Sequence, residues 1–172
     1  MTKTILLYTL ILLLLGLVVY YFYPEKKLAE GIKIDEIIVY KSKRQLQAFS
    51  DGQLVKTYTI SLGRNPVGHK EFEGDKKTPE GVYLIYDKNP NSGYHKNLGI
   101  SYPNEKDKEH AAAIGKSAGG DIKIHGLRNG TGCIGKLHRW RDWTAGCIAL
   151  TNKEIDELYN ATTIGARIEI FP

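Results

Sequence analysis

With 172 residues, 42% of them hydrophobic and 25% charged, the chain is long enough for one well-packed domain plus a terminal segment. The net charge of +5 comes from scattered lysines and arginines with no basic recognition helix, which argues against nucleic-acid binding. Two cysteines are too few for a disulfide scaffold and fit no zinc spacing, so neither a metal nor another cofactor is expected.

Residues 4–23 carry no charge over 20 positions, about the length a helix needs to cross a hydrocarbon core. Tyr20, Tyr21 and Tyr23 fall where an aromatic belt meets lipid headgroups, and Pro24 then stops the helix. A cleavable signal peptide would show a shorter apolar run and an A-x-A-like site, and neither is present. Residues 1–24 therefore read as an uncleaved, single transmembrane anchor, and no cysteine near its end supports a lipid anchor instead. Lys3 on one flank and Lys26 with Lys27 on the other leave the positive-inside comparison nearly tied. Residues 25–33 read as a linker and 34–172 as the folded domain.

That domain is expected to be mainly β with short helices, an α+β arrangement. Ile34 to Lys41 and Gln45 to Phe49 read as strands, Asp51-Gly52 marks a hairpin turn, and Leu54 to Leu62 returns as its partner. Residues 63–81 form a Gly- and Pro-rich loop, followed by a short strand from Val82 to Tyr86. Residues 87–101 read as a polar loop, and 106–115 as a short helix. Ile122 to His125 is a buried strand that delivers His125 to its end, and a glycine-rich loop follows. Cys147 to Leu150 is apolar again, Thr151 and Glu154 form a capping box for a helix over 153–159, and Arg167 to Phe171 closes as a strand.

Cys147 lies in the small-residue turn Thr144-Ala145-Gly146-Cys147, where a thiol is presented at the rim of the core with little bulk around it. Successive N–H groups in such a turn can meet a developing oxyanion. A cysteine nucleophile needs a base, and His125, at a strand end before Gly126 and 22 residues upstream, is the best-placed histidine. Cys133, in Gly130-Thr131-Gly132-Cys133, lacks both a preceding strand-end histidine and a following capped helix, so a packing role is expected for it.

Ile124-His125-Gly126 with the downstream Thr144-Ala145-Gly146-Cys147 resembles the catalytic signature of the L,D-transpeptidase (YkuD-type) family. Residues 74–83 and 100–104 are also similar, and the resemblance runs in order from Ile34 to Phe171. It is strongest with the branch that carries Asp142-Trp143-Thr144 before the Ala-Gly-Cys turn. The resemblance implies a mixed β-sheet or sandwich fold and a peptidoglycan-modifying cysteine acyltransferase. In that scheme Cys147 attacks an L,D-peptide bond of a stem peptide to form a thioester. His125 is the general base and acid, the Gly126 carbonyl orients it, and the N–H groups of Ala145, Gly146 and Cys147 form the oxyanion hole. Where many members carry histidine this chain has Ala145, and where many carry arginine or asparagine it has Ala149. Recognition of the substrate carboxylate then falls to Arg128, Arg139 or Arg141, with His138 and Thr144 as further substrate-binding candidates.

Transpeptidation is the primary reading. The alternatives are hydrolysis on the same machinery, either trimming a stem peptide or releasing a wall-linked protein, and a catalytically silent wall-binding module. The substrate would place the domain outside the cytoplasm, on a cell membrane crossed once. His69 and His95 sit in turn-rich loops, where a histidine carries little meaning by itself. Asp75 and Thr78 are expected to fix the loop before Tyr83, and Trp140 and Trp143 to pack the later loop over the core.

Overall fold

The computed structural model describes residues 2–172. Helix α1 (Thr2–Phe22) is long and apolar enough over Lys3–Phe22 to cross a membrane, and none of that stretch is buried within the protein. Most of its side chains are exposed, and its apolar contacts with the domain come at its C-terminal end, where Tyr20 meets Trp140 and Tyr21 meets Gly135. Only its last turn touches the rest of the chain.

The domain is built on strands β1 (Ile34–Tyr40), β2 (Gln45–Ser50), β3 (Gln53–Thr59), β4 (Gly81–Ser92), β5 (His95–Ile100), β6 (Lys123–His125), β7 (Ile148–Ala149) and β8 (Thr162–Phe171). They are ordered β3-β2-β1-β8-β4-β5-β6-β7, a mixed sheet in which β1 pairs with β8 and β6 with β7 in parallel. Period-2 alternation puts Ile37 and Val39 of β1, Leu46 and Ala48 of β2, and Ala166, Ile168 and Ile170 of β8 into one core, which Ile34 joins across a register shift between Ile34 and Glu36. Each large aliphatic side chain fully buried there contributes about 2 kcal/mol. Beyond β3, Ser61 and Ala149 exchange two backbone hydrogen bonds (3.0 and 2.8 Å), so the two ends of the strand order meet and the sheet closes on itself.

Helix α2 (Glu105–Ala113) starts at a capping box between Asn104 and Asp107. Helix α3 (Asn152–Ala161) starts at the expected one, with Thr151 and Glu154 each accepting from the other's backbone N–H. Ile155 and Leu158 of α3 complete the core.

Two expectations are corrected. Residues 87–101 are not a loop. β4 runs on to Ser92, and β5 returns antiparallel to it, with Asn89 opposite Asn97 and Ser92 opposite His95. The exposed face of this hairpin carries polar side chains, so the strand is made by backbone pairing without an alternating apolar signature. The glycine-rich loop after His125 also holds regular structure, a 3-10 segment over Gly132–Trp140 kinked at Gly135.

Candidate active site

The turn that carries Cys147 is held by three stretches of backbone in direct contact. Gly146 has φ +135°, and a Cβ there would lie 2.7 Å from the Lys77 carbonyl oxygen. A Cβ on Gly63 would lie 2.1 Å from the Lys76 carbonyl oxygen and 3.1 Å from the Gly146 Cα. Only glycine allows that approach. The Lys76–Lys77 stretch is itself shaped by Asp75, whose carboxylate accepts from Lys70 Nζ (2.8 Å) and from the N–H groups of Glu71 (2.7 Å), Phe72 (3.2 Å) and Lys77 (3.0 Å). Burial alone would raise the Asp75 pKa, but these bonds outweigh it and hold the carboxyl below its usual range. Thr78, fully buried, accepts from Gly63 N–H through Oγ1 (3.1 Å). Asp75 and Thr78 thus fix this loop, as expected.

Thr144 staples the turn from within. Its Oγ1 donates to the Cys147 carbonyl (2.7 Å) and accepts from the Gly146 N–H (3.1 Å). Gly146 N–H is therefore occupied. The N–H groups of Ala145 and Cys147 have no internal acceptor among the described residues.

His125 ends β6, which runs parallel to β7 with Ile124 opposite Ile148 and His125 opposite Ala149. Alternation then puts residues 123 and 125 on the same face of the sheet as 147 and 149. The buried His125 donates from Nδ1 to the Gly126 carbonyl (2.7 Å), because a carbonyl can only accept, and Nε2 is left as the basic nitrogen. Its ring packs against Tyr94 (centroids 4.7 Å apart) and, in a T-shaped arrangement, against Trp143 (5.6 Å), and those two rings stack on each other at 6.1 Å. Burial lowers its pKa and the Gly126 bond only partly restores it, so the imidazole is neutral at pH 7.

Cys147 and His125 line one open cavity of about 600 Å³. Burial raises the Cys147 pKa, partly offset by the Lys123 backbone N–H and by its ammonium, while the thiol donates to the Asp121 carbonyl (3.5 Å). The resting pair is therefore a neutral thiol beside a neutral imidazole. Arg64, Lys76 and Lys123 also line the cavity, together with Asn89, Asn91 and Tyr94. None of these six was singled out from the sequence. Arg64 and Lys76 arrive by the glycine contacts above, and Asn89, Asn91 and Tyr94 by the β4–β5 hairpin, while Lys123 shares β6 with His125.

The arginines expected to meet substrate are placed elsewhere. Arg139 is paired with Glu154 (2.7 Å) and Glu25 (2.9 Å), its side chain mostly buried, and does not line the cleft. Arg128 and Arg141 are exposed beside a separate apolar groove of about 340 Å³ lined also by Ile134 and Trp140. Trp143 forms a wall of both cavities. Trp140, expected to pack over the core, is 65% exposed. Cys133, expected to pack, is exposed too. His69 and His95 are held by Asp107 (3.1 Å) and Asp156 (2.9 Å) and lie outside the cleft lining.

His138 lies behind the cleft wall. Trp143 Nε1, a pure donor, points at its Nδ1 (3.4 Å), and Ser61 Oγ lies 3.2 Å from the same nitrogen, so the proton resides on Nε2. Burial, with help from the Arg139 and His125 charges, pushes its pKa down to about 4. The unfolded chain takes up this proton near pH 6.5 and the folded one only near 4, so stability is lost as pH falls through that window, by about 3 kcal/mol in all. Urea titrations in detergent at pH 7 and pH 4.5 should show a markedly smaller loss for His138→Gln than for the wild type. Equal losses would remove His138 from this role.

The closed mixed sheet thus places the Cys147 turn and the strand-end His125 on the lining of one cavity. The chain belongs to the L,D-transpeptidase catalytic domain (YkuD) family, which matches residues 34–170. It is similar to YafK of Escherichia coli (strain K12), a protein whose name carries the same family, with 30% identity over 133 residues covering 74% of this chain and 46% of that one. Among solved structures it resembles the helical cell shape determining protein Pgp2 (K307A mutant) of Campylobacter jejuni (TM-score 0.60, 27% identity, 81% of this chain and 47% of that one). An L,D-transpeptidase of Mycobacterium smegmatis shares the fold (TM-score 0.54, 13% identity, 83% of this chain and 60% of that one). The chain spans about half the length of the relatives it matches.

Proposed function

We propose that this chain is a cysteine acyltransferase acting on peptidoglycan stem peptides, anchored in a cell membrane by residues 1–24 with its domain outside the cytoplasm. The observation that carries the reading is the His125 Nδ1–H bond to the Gly126 carbonyl, which leaves Nε2 basic on the wall of the cavity that Cys147 also lines. Because thiol and imidazole both rest neutral, His125 removes the thiol proton as Cys147 Sγ attacks the carbonyl of the L-centre. The N–H groups of Ala145 and Cys147 receive the oxyanion. Gly146, bonded to Thr144, shapes the turn and leaves that task to its neighbours. Collapse breaks the C–N bond, His125 returns the proton to the leaving D-residue's amine, and a Cys147 thioester remains. An incoming amine or water then loses its proton to His125 and releases the acyl group.

Arg64, Lys76 and Lys123 provide the positive lining that a stem-peptide carboxylate requires, in place of the arginines inferred from the sequence. Whether the acyl acceptor is a second stem peptide, a protein or water depends on cleft shape rather than on the catalytic pair. The likeness to a protein named for helical cell shape favours a role in shaping the wall.

Incubation of the full chain with purified muropeptides, followed by mass analysis, tests the proposal. New cross-linked dimers support transpeptidation, while shortened or released peptides support the hydrolytic alternative. Retained binding with no product and no protein-bound acyl mass would instead mark a silent wall-binding module.

A further inference from the structure

The end of α1 is fastened to the 3-10 segment at several points. Tyr21 donates its hydroxyl to the Cys133 carbonyl (2.6 Å), and its ring lies so close to Gly135 that a Cβ there would come within 3.0 Å of it. Lys136 Nζ donates to the Tyr20 and Tyr23 carbonyls, and Glu25 bridges Lys136 (3.1 Å) and Arg139 (2.9 Å). These contacts fix the height of the segment relative to the helix. A span of 20 residues rises about 30 Å, the thickness of a hydrocarbon core, so its final tyrosines sit at the headgroup boundary. The Trp140 ring lies 6.2 Å from that of Tyr20 and is therefore at the same level.

This face has the composition of an interfacial surface. Trp140 is 65% and Ile134 43% exposed, both beside the apolar groove, with Arg128 and Arg141 exposed on its lining. Neither arginine has a carboxylate partner among the described residues, whereas the neighbouring Lys136 and Arg139 are both paired. Indole rings prefer the headgroup layer, and unpaired arginines beside them are drawn to anionic lipid phosphates. We propose that the face carrying Ile134, Trp140, Arg128 and Arg141 rests in the headgroup layer of the membrane that α1 crosses, as a second lipid contact that holds the domain down on the bilayer. The proposal rests on the anchor reading of α1. It gives Arg128 and Arg141 a lipid partner in place of the substrate carboxylate.

The test uses the full chain reconstituted in protein-free anionic vesicles whose phospholipids are brominated near the headgroup end of the acyl chains. The chain has two tryptophans, so seating one of them in lipid should quench roughly half of the wild-type emission, and Trp140→Phe should lose most of that quenching. Arg128→Glu with Arg141→Glu, two exposed changes that leave both tryptophans in place, should also reduce it. An alkaline carbonate wash checks the anchor separately, and release of the chain by the wash overturns the anchor itself. A chain that is retained but quenched equally with and without Trp140 overturns the lipid contact, as would be found if this face served a partner protein instead.

Discussion

Replacing Cys147 by alanine should lower turnover of a stem-peptide substrate by about 10⁴-fold or more and abolish the acyl adduct in an intact-protein mass spectrum. The size follows from chemistry, since no other group in the cavity can carry the acyl chain through a thioester. Stability should change by less than about 1 kcal/mol. The thiol's polar contacts are the 3.5 Å bond to the Asp121 carbonyl and the Lys123 backbone N–H, and the turn is held instead by Thr144 and by the glycine contacts. Cys133→Ser provides the comparison. Cys133 is exposed, does not line the Cys147 cavity, and meets α1 through its backbone carbonyl, which serine retains. Its activity and its adduct should survive. Loss of both in Cys133→Ser, or an adduct that persists in Cys147→Ala, would transfer the nucleophile to the other cysteine.

What could be read in advance divides along physical lines. β1, β2 and β8 alternate between a buried and an exposed face, so their side chains announce them. Thr151 and Glu154 lie three residues apart, and their reciprocal cap is a local event that short-range pattern captures. The placement of His125 at a strand end and of Cys147 in a turn was legible for a related reason, since each sits at the junction of an apolar strand and a small-residue turn. The β4–β5 hairpin was not legible beyond Tyr86, because its ladder joins backbones whose side chains are largely polar. Arg64 and Lys76 were hidden for a different reason. They become cleft residues only when Gly63 is pressed against the Lys76 carbonyl, a contact that no local pattern encodes. Arg139 misled in the opposite sense. Its position between His125 and Cys147 suggested the site, but its partners Glu25 and Glu154 lie 114 positions before it and 15 after it. A cation's destination is set by which carboxylate the fold delivers, and sequence proximity to His125 and Cys147 does not settle it.

The close contact at Gly63 makes Gly63→Ala a highly damaging small change outside His125 and Cys147. The added methyl would lie 2.1 Å from the Lys76 carbonyl oxygen, 3.0 Å from its carbon and 3.1 Å from the Gly146 Cα, all of them backbone atoms without a rotamer to yield. The Lys76 carbonyl also accepts from Asn65 N–H (3.2 Å), and Gly63 N–H is tied to Thr78 Oγ1 (3.1 Å), so relief of the clash must break bonds on one side or the other. Overpacking of this kind costs about 2 to 3 kcal/mol. If the Cys147 turn is the part that moves, a shift of about 1 Å would cost roughly 100-fold in turnover. Gly52→Ala separates this steric effect from ordinary glycine loss. Gly52 lies in the β2–β3 turn at φ +74°, and a methyl added there would meet nothing within 4 Å. About 1 kcal/mol of backbone strain should therefore be its whole effect, with turnover intact. Thermal midpoints and muropeptide turnover measured on both variants decide the matter. Full turnover in Gly63→Ala would mean that the nucleophile's position does not depend on this backbone contact.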